Sequence, residues 1–132
     1  MTKRPVGRHR FAIGAHAALW VLLGLAGGCA TTQSRHEFLA ERYPPRAADA
    51  AVEVFRSGLP QVPFKRIARL DVHLEKTGFV TSRFEDALPE LKTQARQAGA
   101  DAIIEIDERR SQVLETMVYH VTATAVRYTS TP

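Results

Sequence analysis

Chemistry needs side chains that offer electron pairs or move protons, and this chain has few beyond ordinary surface charge. It contains one cysteine, Cys29, and five histidines, His9, His16, His36, His73 and His120. His73 sits in RLDVHLEK, two residues from Asp71 and two from Glu75, and His120 sits in MVYHVTAT. Alternation of apolar and polar residues puts Asp71, His73 and Glu75 on one face of a strand and His120 on the polar face of another. If those strands are neighbours, two imidazoles and a carboxylate from Asp71, Glu75 or Glu115 converge, a set that suits a transition metal. No ligand-spacing motif enforces the convergence, and polar residues covering a solvated sheet face give the same pattern, so His73 and His120 are weak metal candidates. The chain has no nucleophile motif, no glycine-rich phosphate loop and no paired-carboxylate signature. It is expected to be no enzyme and to need no cofactor.

Cys29 has a different setting. The first ten residues carry Lys3, Arg4, Arg8 and Arg10 and no acid, and FAIGAHAALWVLLGLA follows. A basic start, a short apolar run and a small-residue exit have the layout of a secretory signal. The run is shorter than the ~20 residues of a membrane-spanning helix. Ala26, Gly27 and Gly28 then let the chain leave helix and lie extended in a peptidase cleft.

The stretch LAGGC resembles the lipobox of bacterial lipoproteins, with Ala26 where that motif most often has leucine. The resemblance implies that the Cys29 thiol is lipidated (diacylglyceryl, then palmitate-type acylation), that residues 1–28 are a signal peptide cleaved after Gly28, and that the lipid holds the protein on a membrane. Ala30, not the aspartate associated with inner-membrane retention, follows the cysteine. The resemblance therefore implies the outer membrane, facing the periplasm.

Charge follows from the same division. Four of the 18 basic residues and none of the 14 acidic ones lie in residues 1–28, so the net +4 of the whole chain becomes zero in the remaining 104 residues. Nucleic-acid binding needs a basic footprint to displace counterions from phosphate, and it is excluded as a partner class. Residues 29–49 are polar, with Pro44 and Pro45 adjacent, and read as the lipidated N-terminus and a flexible tether. About 20 extended residues would give a reach of roughly 65–70 Å. Within them RYPPR (42–46) is composed like an ordinary linker, with a docking segment as the alternative.

Residues 50–130 then form one small domain. A chain of this size buries only about 60% of its unfolded surface, and a lone cysteine allows no internal disulfide. VEVFR (52–56) and RIARLDVHLEK (66–76) alternate as strands, the second with a slip near Ala68, and SGLPQVPF between them is a loop. Leu88, Leu91, Ala95 and Ala98 form a helical stripe that Gly99 ends. Asp86 is the preferred N-cap, because it leaves Pro89 in the first turn, where no N–H is needed. DAIIEI (101–106) is a strand whose consecutive Ile103 and Ile104 point to burial on both faces or a central position, DERRS a turn, and residues 113–130 a strand with Tyr119, Val121, Ala123 and Ala125 on one face and His120, Thr122 and Thr124 on the other. The expected class is α+β, one helix on a small, mostly antiparallel sheet in the order β-β-α-β-β.

LKTQARQAGADAIIEI and TATAVRY resemble segments of YbjQ-like "heavy-metal-binding" domains and of RcsF-type outer-membrane lipoproteins. The likeness covers about residues 50–128 and is sharpest over Ala95–Ile106 and Thr122–Val126. Its physical content is packing, so it implies a fold rather than a site. The RcsF-type proteins sense envelope stress with disulfides, which this chain cannot form. Two functions are carried forward. One is a membrane-anchored module binding an envelope protein or cell-wall component. The other is a small-ligand or metal-binding domain.

Overall fold

A computed structural model of the protein describes residues 29–129. Residues 1–28, read above as a signal, and the last residue of the expected domain, Ser130, lie outside the described residues. The elements are β1 (Ala30–Phe38), β2 (Glu53–Val54), β3 (Phe64–Lys76), α1 (Phe84–Gln97), β4 (Ala102–Val113) and β5 (Thr116–Tyr128). The five strands form one sheet in the order β1-β3-β5-β4-β2, antiparallel throughout except for the short β2–β4 pair. With α1 on one face, the class is α+β.

The expected order β-β-α-β-β is corrected, because a further strand precedes it. The residues read as a tether begin with β1, whose nine residues pair with β3 from Ala30 opposite Lys76 to Phe38 opposite Ala68. Beyond β1 the segment is mostly exposed but is held at residues 43–46. The Arg46 N–H donates to the Arg96 carbonyl at 2.8 Å, and its guanidinium meets the Ala100 carbonyl at 2.9 Å and the Asp101 carboxylate at 2.7 Å. Tyr43 and Pro44 pass so close to Gly99 that a Cβ there would lie 2.7 Å from the Pro44 oxygen. Gly99 also has φ +81°, which glycine alone adopts at no steric cost.

The long strands alternate as read. Leu70, Val72, Leu74, Tyr119, Val121, Ala123 and Ala125 are buried under α1. The slip near Ala68 is a bulge between Arg66 and Ala68. Ile103 and Ile104 are both fully buried, Ile103 in the core beneath the helix and Ile104 in a small cluster with Ala102 and Val126. Two strand limits are corrected. DERRS does not turn the chain: β4 runs on through Asp107 opposite Thr122 to Val113, past a bulge after Ile104, and the chain turns at Leu114 and Glu115.

The helix begins earlier than Asp86. Arg83 is the N-cap, and its N–H donates to the Asp86 carboxylate at 2.9 Å, so Asp86 caps the helix from inside its first turn. Pro89 therefore lies within the helix. Its position is exposed, where water can satisfy the carbonyl a proline cannot reach. The buried stripe is Phe84, Ala87, Leu91, Gln94, Ala95 and Ala98, with Leu88 at its margin.

Candidate functional site

The sheet face opposite α1 is polar and uncovered around the middle of β1, β3 and β5 among the described residues; at one end Phe55, Phe64 and Tyr128 pack over Ala102, Ile104 and Val126. It takes the alternate positions of each strand: Gln33 and Arg35 on β1, Asp71, His73 and Glu75 on β3, His120 and Thr122 on β5, Asp107 and Arg109 on β4. The two histidines are direct cross-strand partners, with ring centroids 5.8 Å apart and planes tilted by 59°. Each Nε2 meets a carboxylate: His73 with Glu75 at 2.9 Å, His120 with Asp71 at 3.1 Å. Arg35 reaches the other Asp71 oxygen at 3.9 Å. Gln33, Ser34, Arg35, Asp71, His73, Glu75 and His120 line an open depression of about 430 Å³.

The strand period brings His73 and His120 together with Asp71 and Glu75. Glu115 is elsewhere, in the β4–β5 turn, where its carbonyl accepts the Phe79 N–H at 3.1 Å. His36 is on β1 opposite Leu70, on the helix side, edge-on to Phe38 at 5.1 Å. Cys29 is exposed, immediately before β1, with its carbonyl 3.4 Å from the Thr77 hydroxyl. Gln33 and Arg35 escaped the sequence reading because their segment reads as a tether, polar on both sides.

A carboxylate at one imidazole nitrogen fixes the ring and leaves the other nitrogen as an electron-pair donor or a proton carrier. Among the described residues no group of three or more histidine, cysteine or acidic side chains has the geometry to hold a metal. His120 and Asp71 make an imidazole–carboxylate pair with no serine hydroxyl beside it among the described residues: Ser34 Oγ, on the helix side of β1, donates to Glu90. What remains is a recognition surface with imidazoles, carboxylates, a guanidinium and an amide in one hollow.

A second polar group lies on the helix side. Tyr119, 1% exposed, donates its hydroxyl to Glu108, which also pairs with Arg56 at 2.6 Å, and Arg56 lies 3.9 Å over the Phe84 ring. Burial, then the Glu108 carboxylate, pushes the Tyr119 phenol well above its usual range. Glu105, at the β4 bulge with φ 52°, is held below the usual carboxylate range by its hydrogen bond from Arg66.

The chain matches no protein-family model, and no curated protein matches it. Among solved structures it is similar to the crystal structure of the Francisella virulence factor FvfA, with a TM-score of 0.46 and 17% identity over 70% of this chain and 97% of that one. A likeness that weak in shape and sequence does not bear on what this chain does.

Proposed function

We propose that the protein is an envelope lipoprotein whose domain is a non-catalytic binding module. Lipid on Cys29 anchors it, facing the periplasm from the outer membrane, and the open polar face around His73 and His120 receives a partner protein or wall component. The observation that carries the binding reading is the part of that face around His73 and His120: long strands, mixed charge, no covering layer among the described residues. The lipobox-like LAGGC supports the anchor, and Ala30 after the cysteine supports the outer membrane.

Photo-crosslinking residues placed at Gln33 or Thr122 should give a discrete adduct from the intact lipoprotein in cells, while the same residue at Lys92 on the helix should not. Equal adducts from both faces, or none, would overturn the reading. Cys29→Ser should leave an unprocessed precursor; intact mass showing that variant cleaved after Gly28 would sink the anchor. The 5.8 Å approach of His73 and His120 favours one second reading, a small-ligand or metal-binding face.

A further inference from the structure

We infer that the end of the domain beside Cys29 is a bilayer-docking surface, in which Phe79, Val80, Val113 and Leu114 enter the lipid interface that holds the anchor. The inference rests on the lipoprotein reading for its anchor. Scattered exposed apolar side chains are ordinary on soluble surfaces; here they are gathered. Six large hydrophobic residues are exposed among the described residues: these four, Leu39 and Leu59. Val113 and Leu114 are at the β4–β5 turn, and Phe79 and Val80 are in the loop after β3. The Phe79 N–H joins the two segments by donating to the Glu115 carbonyl. Leu39 and Leu59 adjoin the other end of the sheet, where β1 ends and β3 begins; Leu39, whose N–H donates to the Ile67 carbonyl, is about 30 Å from Lys76 at ~3.3 Å per strand residue.

The backbone supplies an independent sign. Non-glycine residues with positive φ are only Phe79 (60°), Glu105 (52°) and Leu114 (55°) among the described residues. Leu114 opens a two-residue hairpin turn, a slot that favours glycine. It is 88% exposed, and Phe79 is 64% exposed. A bulky apolar side chain in that conformation strains the backbone, and in water its exposure is unfavourable too. Burial in lipid removes the second cost and gives the first a use.

The lipid names the occupant. The chain before Cys29, ending in the mostly apolar FAIGAHAALWVLLGLAGG, reads as the export signal that delivers Cys29 for lipidation, and the acyl chains belong in a bilayer. Cys29 is held at this same end, because Ala30 pairs with Lys76, Lys76 with Met117 and Met117 with Gln112. Without a tether, acyl chains on Cys29 enter the membrane directly beside the four side chains. Lys76 is paired with Asp86 at 3.0 Å, and the four side chains that make the contact are apolar. His73 would then lie about 10 Å above the interface, three strand residues from Lys76, with its hollow facing sideways.

Trp20 is the chain's one tryptophan and leaves with the signal, so a substituted tryptophan is a sole reporter. Mature lipoproteins carrying Leu114→Trp or Leu59→Trp are placed in phosphatidylethanolamine–phosphatidylglycerol vesicles. Trp at 114 should emit to the blue, be quenched by brominated acyl chains and be shielded several-fold from acrylamide, in low and high salt alike. Trp at 59 should show none of this. Equal acrylamide access at both positions, with no quenching by brominated lipid, overturns the docking surface. Intact mass without acyl chains on Cys29 would remove the anchor alone, because the same fluorescence on added vesicles still reads docking.

Discussion

Gln94 on α1 brackets the backbone of Asp71 on β3: its amide nitrogen donates to the Asp71 carbonyl at 3.1 Å, and its oxygen accepts the Asp71 N–H at 3.3 Å. Gln94 is 2% exposed, and the strand it holds carries the carboxylate that meets His120. Gln94→Leu would keep the volume and orphan two backbone groups, at about 1–3 kcal/mol. Urea melts should show that loss, and imidazole NMR signals of His120 should broaden as Asp71 gains freedom. A cost under about 0.5 kcal/mol, typical of exposed positions, would mean the bracket is not made.

Leu91 is fully buried at the centre of the helix stripe, whereas Leu88 only borders the core. Leu91→Ala should cost about 2–5 kcal/mol, and Leu88→Ala distinctly less. Equal losses in thermal melts would place the stripe where the 88–91–95–98 spacing alone puts it.

Gly99→Ala meets two obstacles at once, the positive φ and the Pro44 oxygen and Tyr43 Cβ, each 2.7 Å from the added carbon. The left-handed conformation alone costs an alanine about 1–2 kcal/mol. The clash should also push residues 43–46 off the helix end. Proteolysis should then cut between Leu39 and Ala50 in the variant and spare the parent; equal resistance would show that this segment is not held.

Acid and alkali should act through different groups. Burial and the hydrogen bond to Glu53 push the Tyr128 phenol up to about 12, and Tyr119 moves the same way. The folded state thus prefers the neutral phenols. Their contribution is whole below about pH 10, the unfolded value, and is lost as pH rises through the folded values. Asp86 goes oppositely: the Arg83 N–H foremost, then Lys76, holds its carboxyl below the usual range. Its contribution is present above about pH 4 and is lost as pH falls through the lowered value. Urea midpoints against pH should fall at both extremes. Tyr128→Phe should flatten the alkaline limb only, and Asp86→Asn the acid limb only.

Legibility in the sequence tracked burial. On β3 and β5 one face is apolar and the other polar, so the period of two shows directly, and with it the shared face of His73 and His120. β1 has Ser34 and His36 on its helix side and Gln33 and Arg35 on the other. It is held mainly by pairing with β3, and hydrogen-bonded pairing leaves no hydropathy pattern. The same holds for Asp107–Arg110, where β4 extends beyond the two-residue β2 and its charges read as a turn. The helix start differs because Asp86 accepts the Arg83 N–H from inside the first turn, a role that its residue type allows as readily as that of the N-cap itself. Cys29 needed no fold to be noticed, but its place at the sheet's edge did.

Zinc separates the two readings of the open face. Both Nε2 atoms already meet carboxylates, Glu75 at 2.9 Å and Asp71 at 3.1 Å. A metal taking those nitrogens would have to displace the carboxylates or recruit them as ligands. The free nitrogens of the two rings are not joined by a third ligand, since no group of three or more such side chains among the described residues has metal-holding geometry, so the melting temperature should be the same with chelator and with equimolar zinc. A metal that binds only the folded state would instead add about 2.7 kcal/mol at a free concentration 100 times its Kd. A rise of that order, lost in both His73→Ala and His120→Ala but kept in His36→Ala, would make the face a metal site. A rise that survives either substitution would point to binding elsewhere and leave the His73–His120 hollow as a surface for a partner.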